Sequence, residues 1–584
     1  MNMLQKSEKQ TLLLLALLCG LSLFVFLGDT LFNTRGEPRE AIVAYSMLEH
    51  GNWVLPVNNG DEIAFKPPLL HWCVAAISSL VGGVSEYTSR LPSALAVWVM
   101  ILGGFVFYAR RRNVEVALLM GLLTLTCFEV HRAAYACRVD MLLSALVVLA
   151  LYALYRWTER GLKGIPWLAW ALMAGAALTK GPVGVILPCG VAGVYLLLRG
   201  YNFFSLLWRF ALLAVAALLP LFAWYYAAYL EPHGGERFLQ LIYEENVLRF
   251  TGDMSYASHI NPWYYNVVTI VAGFAPYTLL VLLALPFCAG ALKRLFRWPS
   301  LRRAFQLRTY REMDDVRLYS LLSFLVIFVF YCIPASKRSV YLLPVYPFLA
   351  MFLAEFLLWL RSRHAVVLRV FSHIMAGAAV LLFAVFLAVR LGWVSEDIFS
   401  GKHAAENAAF LHALHTAPLG LLQWVVILLP VAVALFHWAR PSWPLSVPAG
   451  RQLPYRGVAI VFAVFLALDG FYQPCVLNTK SDKALAEQID ALVPEGTLYS
   501  YRSEYVEANR MHPFTINFYL DDRVIPIDKA PVLPESGYLI VSGKSIETFV
   551  EEYPQLATEL IFQSERRSCD DRKPVSFYRF SRKP

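Results

Sequence analysis

The chain has 584 residues, of which 58% are hydrophobic and only 16% charged, with a formal net charge of +9. Soluble domains carry about 25% charged residues, so this composition excludes an ordinary soluble enzyme and points to a polytopic membrane protein. The 51 Lys and Arg sit in short clusters between apolar runs, which is the loop pattern of a membrane protein and not a continuous nucleic-acid-binding face.

The opening MNMLQKSEKQ and the apolar run from Thr11 to Gly28 have the outline of a signal peptide. The run is about 18 residues long and no A-x-A-like site follows, so it reads as a retained first span. At about 18 to 25 residues per crossing, spans fall near 11–29, 88–109, 114–130, 141–157, 165–179, 183–199, 206–230, 264–290, 316–334, 340–360, 365–390, 418–438 and 457–473. That makes about thirteen. With the N-terminus cytoplasmic, Arg110 to Arg112, Arg156 to Lys163, Arg199 to Arg209, Lys293 to Arg317, Arg361 to Arg369 and Arg440 to Arg456 all fall on the cytoplasmic side. Residues 67–83 are then an outer interfacial segment, because a crossing there would turn the Arg110 cluster outward. The predicted organisation is a membrane domain over 1–473 with a large outer loop at 30–87, followed by 474–584 outside. That tail has alternating stretches (GTLYSYRSEYV, FTINFYLDDRVIPID, GYLIVSG, PVSFYRFSR) and an amphipathic run, SDKALAEQIDALV, so it reads as a small extracytoplasmic α/β domain. Cys475 and Cys569 share this region, where a disulfide is open to them.

The first outer loop is too charged to span and too elaborate for a connector: it holds Glu37, Arg39, Glu40 and Lys66 ahead of two prolines. Further outward pieces carry His131 to Asp140, Thr179-Lys180-Gly181-Pro182, the stretch Glu231 to Pro262 with Arg249, Asp253 and His259 followed by Tyr264 and Tyr265, and Ser336 to Tyr341. Ionisable groups at membrane depth are costly and usually face a cavity where they have a task. If the pieces converge, Lys66, Arg138, Arg249, Lys337 and Arg338 beside Glu37 and Asp140 suit an anionic lipid headgroup. A carboxylate there takes a proton from an acceptor hydroxyl. Blander readings stand beside this one. Lys180 and Lys337 are snorkelling anchors, Asp140 is an ion pair with Arg138, and Arg39 and Glu40 lie on the solvated face of a helix from Pro38 to His50. His71, His131 and His259 lack metal-ligand spacing, so no metal site is assigned. The sequence contains no Walker, GxGxxG, HExxH or GxSxG motif, which leaves nucleotide-driven pumps and the common hydrolases without support.

The order of these pieces is similar to one known family: the loop with its E-x-x-R-E-A-like helix, then GNWVLP, KPP, an Asp after the third span, TKGP and a late basic-x-x-x-Tyr element. It resembles the bacterial aminoarabinose (lipid A) transferases, within the protein O-mannosyltransferase superfamily of GT-C glycosyltransferases, over roughly residues 10 to 345. The resemblance implies a GT-C-like fold and inverting transfer from a polyprenyl-phosphate-linked sugar donor on the outer face of the inner membrane. The implied acceptor is a lipid A-like lipid, a surface glycan or a protein. It places the catalytic carboxylates at Glu37 and Asp140, with Gly36 where the family has Asp. It places donor-phosphate groups at Lys66, Arg249, Lys337 and Tyr341, to which the residues themselves add Arg138 and Arg338. Arg39, Glu40, His259, Tyr264 and Tyr265 are the candidate acceptor or sugar contacts. Phe65 replaces the Glu that commonly precedes the family's lysine, so a divalent metal enters only through the resemblance and no cofactor is assigned. The competing class is a transporter or flippase for a lipid-linked sugar, which predicts internal repeats and charges in discontinuous spans. Here the charges cluster at outer span ends.

Overall fold

The computed structural model describes residues 6–232, 234–244, 260–295, 306–439, 449–501, 512–543 and 545–584. Apolar runs dictate helices, and the first nine in chain order are α1 (Lys6–Phe24), α2 (Pro38–His50), α3 (Leu69–Val81), α4 (Glu86–Ala109), α5 (Val114–Leu125), α6 (Phe128–Ala134), α7 (Val139–Glu159), α8 (Trp167–Lys180) and α9 (Val183–Leu198). Among the described residues nine helical segments are long and apolar enough to cross a membrane, and two bent pairs, α5 with α6 and Tyr265–Gly273 with Tyr277–Gly290, bring the number to as many as 11. The thirteen expected runs are these plus α8 and α9, whose 14 and 16 residues fall short of a full crossing alone. The 13-residue α3 is likewise too short, as expected for the segment after Lys66.

Local chemistry sets the helix ends. Ser85 and Thr88 form a reciprocal capping box at the start of α4, and Asn113 caps α5 by accepting from the Val116 N–H at 2.8 Å. At one end of the bundle the basic clusters are paired across helices: Arg111 with Glu159, Arg112 and Arg317 with Glu355, Arg199 with Asp315 and Arg361 with Glu115. Between these pairs and the opposite end lies a single apolar core that includes the stacked and edge-on rings of Tyr108, Tyr152, Tyr155, Tyr195 and Tyr319.

After the last long span the chain builds a five-stranded sheet of order β4-β3-β5-β7-β6, from Leu498–Tyr501 (β3), Val524–Pro526 (β4), Ser536–Ser542 (β5), Leu556–Arg567 (β6) and Pro574–Arg582 (β7). Neighbours β4, β3 and β5 run parallel, while β5, β7 and β6 pair antiparallel. The amphipathic run forms the helix Lys483–Leu492. The alternating FTINFY is a helix, Phe514–Tyr519, and not a strand: Phe514 to Phe518 are all buried, and Asp570 accepts from the Thr515 N–H and Oγ1 at 3.0 and 2.7 Å. Burial on every side removes the two-residue period's meaning. Cys475 and Cys569 are free thiols, so the disulfide open to them is not formed.

The sheet domain rests on the first outer loop. There a two-stranded hairpin, Val57–Asn58 (β1) with Glu62–Ile63 (β2), turns through Asn59 and Gly60 at φ 48° and 78°. A Cβ on Gly60 would lie 2.8 Å from Ile525, so both the turn and the contact require glycine. Asp522 accepts from the Asn59 N–H at 2.8 Å, Asn517 donates to the Asn59 side chain at 2.8 Å, and Tyr519 donates to Glu86 at 2.6 Å. Phe32 packs edge-on against Phe518 at 5.0 Å.

Candidate functional site

Three carboxylates meet around the turn Ala136 to Asp140 that joins α6 to α7. Glu37 stands immediately before α2, whose first residue is Pro38, the helix position where a missing N–H costs nothing. Its carboxylate is bound bidentately by Arg90, Nε to Oε1 at 2.8 Å and Nη2 to Oε2 at 3.1 Å, and the Cys137 N–H donates to Oε1 at 3.0 Å. The remaining Arg90 nitrogen donates to the carbonyls of Leu27, at 3.1 Å, and Thr30, at 2.5 Å. Arg90 is 2% exposed and lies over the Phe32 ring at 5.3 Å. Burial pushes the Glu37 carboxyl up, but the charge and bonds of Arg90 and the Cys137 N–H outweigh it and hold it below the usual carboxylate range. Both oxygens of Glu37 are therefore occupied.

Asp140 lies in the first turn of α7, 6% exposed, and one carboxylate oxygen is bound by Lys180 at the C-terminal end of α8. Its ion-pair partner is Lys180 and not Arg138, and the lysine side chain, 29% exposed, keeps contact with solvent. The other oxygen, Oδ2, makes no hydrogen bond to a described residue. Lys180 Nζ also sits 4.2 Å above the Tyr341 ring, which stacks on Tyr331. Arg138 and Arg338 lie within electrostatic reach of Asp140. Lys180, Tyr331 and the stretch Arg338 to Tyr341, far apart in the chain, thus gather around the start of α7 at one carboxylate.

The third carboxylate, Glu40, is 6% exposed, which overturns its reading as part of a solvated face. It is bound by Lys66 and by His71 Nε2 at 3.0 Å. Burial raises its carboxyl, while Lys66, His71 and Arg39 together draw it well below the usual range. A small open cleft lies here, lined among others by Arg39, Glu62, Phe65 and Lys66. Arg39 and His512 both reach Glu62, at 3.4 and 3.3 Å, which brings the sheet domain to the cleft's rim.

The other candidates are placed differently. Lys337 is 6% exposed and its Nζ donates to the carbonyls of Pro334 at 2.7 Å and Asn261 at 3.3 Å, so it staples its own loop. Tyr264 is exposed and Tyr265 begins the helix Tyr265–Gly273. Arg249, Asp253 and His259 lie outside the described residues. No group of three or more His, Cys, Asp or Glu among the described residues is arranged to hold a metal ion. With Phe65 in place of an acid, this donor set does not fit one.

Sequence reasoning passed over Arg90 and Arg35. Arg90 was absorbed into a hydrophobic run, although an arginine within a span is itself a signal of function or of a buried partner. His71 has no metal-ligand spacing to mark it, and its partner Glu40 is 31 residues distant.

Residues 65–226 match the family model for dolichyl-phosphate-mannose-protein mannosyltransferase. An uncharacterized protein of Aquifex aeolicus is 31% identical over 334 residues, covering 56% of this chain and 60% of that protein, so the alignment spans less than two thirds of that relative. An undecaprenyl phosphate-alpha-4-amino-4-deoxy-L-arabinose arabinosyl transferase of Pseudomonas aeruginosa is 28% identical over 459 residues, 77% of each chain. The crystal structure of ArnT from Cupriavidus metallidurans bound to undecaprenyl phosphate superposes with a TM-score of 0.64 at 21% identity, over 97% of both chains.

Proposed function

We propose that this multi-pass membrane protein, similar to the aminoarabinose transferases and of their GT-C fold, moves a sugar from a polyprenyl-phosphate donor to an acceptor on the outer face of a bacterial inner membrane. In this topology the N-terminus is cytoplasmic and residues 474–584 are periplasmic. The observation that carries the reading is the convergence of Asp140, Lys180, Tyr341, Arg138 and Arg338 at one end of the bundle.

Polyprenyl phosphate is a good leaving group once its charge is met, so transfer needs cations around the phosphate and one group to orient and deprotonate the acceptor. Asp140 keeps one oxygen open and takes the acceptor role, with Lys180 fixing the other oxygen. Glu37 supports from behind: tied to Arg90 and to the Cys137 N–H, it holds the turn that presents Asp140. Lys66, Arg138, Arg338 and Tyr341 form the donor-phosphate side, to which Arg249 adds by its family match. Arg39, Glu40 and the aromatic pair Tyr264 and Tyr265 form the acceptor side.

The test is to incubate the purified protein with polyprenyl-phosphate sugars and lipid, glycan and protein acceptors, and to follow donor and product by mass spectrometry. Glycosylated acceptor with release of polyprenyl phosphate is the expected result. Donor moved intact across a vesicle bilayer without cleavage would replace the transferase with a flippase.

A further inference from the structure

Gly36 has an ordinary backbone, with no positive φ to demand glycine. What demands it is a side chain from another part of the protein. A Cβ built on Gly36 would fall 1.8 Å from Arg138 Nη2 and 2.5 Å from Cζ, so the guanidinium lies directly across the bare residue. The stem of Arg138 is fixed from behind, because the adjacent Cys137 N–H is held by Glu37 at 3.0 Å. Arg35, on the other side of Gly36, lies within electrostatic reach of Arg138 and Arg39. Neither the Arg35 nor the Arg138 side chain makes a hydrogen bond or ion pair with a described residue.

Every carboxylate within reach is already engaged. Glu37 is bound by Arg90, Asp140 by Lys180, Asp570 by Thr515 and Asp571 by Ser542 and the Lys573 N–H. Burial first, then Arg39 and Arg138, lower the Arg35 pKa against the opposing carboxylates of Asp570 and Asp571, so like charges lie close together in a partly desolvated place. Two guanidiniums with five N–H donors each, within electrostatic reach of one another and without a hydrogen-bonded partner among the described residues, match the tetrahedral oxygens of a phosphate.

We propose that Arg35 and Arg138 form a clamp for a phosphate ester, and that Gly36 is bare so that Arg138 can lie across it. This deepens the transferase reading and rests on it only for the identity of the phosphate, which belongs either to the polyprenyl donor or to a phosphorylated lipid acceptor.

The full-length protein in detergent is titrated with undecaprenyl phosphate, with lipid A and with dephosphorylated lipid A, and bound lipid is counted by native mass spectrometry. Arg35→Met and Arg138→Met are expected to weaken phosphate-lipid binding by roughly tenfold to a hundredfold and to leave the dephosphorylated lipid unaffected. Loss for undecaprenyl phosphate assigns the clamp to the donor, and loss for lipid A assigns it to the acceptor. Gly36→Ala is expected to weaken binding alone but to add nothing to Arg138→Met, since the added methyl acts only by displacing the guanidinium. That displacement concerns the far end of a flexible side chain, so the melting temperature should hold. If Gly36→Ala fails to fold, the two arginine variants decide. Wild-type binding of both phosphate lipids by Arg35→Met and Arg138→Met would overturn the clamp while leaving the transferase reading standing. Failure of the wild type to bind either phosphate lipid would overturn both.

Discussion

Glu37 and Asp140 both stand at the same end of the bundle, both are buried and both are paired with a cation, yet they are chemically unlike. Glu37 has both oxygens filled by Arg90 and the Cys137 N–H. Asp140 has one oxygen held by Lys180 and one with no described partner. Burial and pairing therefore do not by themselves assign a role to a carboxylate. Access does more, because a carboxylate oxygen with no donor already on it is the better placed to accept a proton from a substrate.

The sharpest way to break this contrast is to remove the charge of each without changing shape. Asp140→Asn is expected to lower sugar transfer by roughly 10²- to 10⁴-fold, the usual worth of a positioned acid or base, with little change in melting temperature. Glu37→Gln should do the reverse, keeping most activity per folded molecule while destabilising the protein, since it strands the buried Arg90. Breaking such a pair costs roughly 3 to 5 kcal/mol, and Glu37→Gln combined with Arg90→Met should recover part of it. Detergent melting curves beside single-turnover transfer assays check both. Equal loss of turnover in the two variants at unchanged stability would return Glu37 to the chemistry.

A second contrast is in pH. The Glu40 carboxyl is held well below its ordinary value of 4.5, so its ion pair stabilises above that pH and the contribution fades as acid reaches the lowered value. Asp522 is the opposite: burial outweighs its bonds from Asn59 and Asn517 and pushes it from 3.8 up to about 6. Its contribution is full below the ordinary value and is lost as pH rises through about 6. The contact between the hairpin and the sheet domain should therefore loosen as pH rises from 3.8 to about 6, read as faster amide exchange at residues 57–63 after correction for the intrinsic pH dependence of exchange. Asp522→Asn should flatten that response. The smallest expected effect is at Tyr519, whose hydroxyl donates to Glu86 and accepts from the Phe32 N–H. Tyr519→Phe should cost about 1 kcal/mol, visible as a small drop in the melting temperature with transfer unchanged.

Some of this was legible from residues alone. Helix α2 starts at Pro38 as its proline predicts and ends at Gly51, where φ is 70°. The charge argument that kept residues 67–83 from crossing agrees with the short α3. The strand reading of FTINFY failed because a fully buried helix has no polar face to betray its period. At the site, Glu37, Glu40, Asp140, Lys66 and Lys180 stand out in the sequence, but which of them pairs with which does not. Glu37 finds Arg90 at 53 residues' distance, Asp140 finds Lys180 at 40, and Glu40 finds His71 at 31.

The sequence by itself determined the membrane character, the apolar runs and the polar loops, because hydropathy and charge are summed locally and the bilayer reads them span by span. Only the tertiary structure decided which carboxylate is spent on a buried arginine, which keeps an open oxygen, and which glycine is bare for the sake of an arginine about a hundred residues away. Those are matters of register between packed helices, set by contacts that no local run of residues encodes.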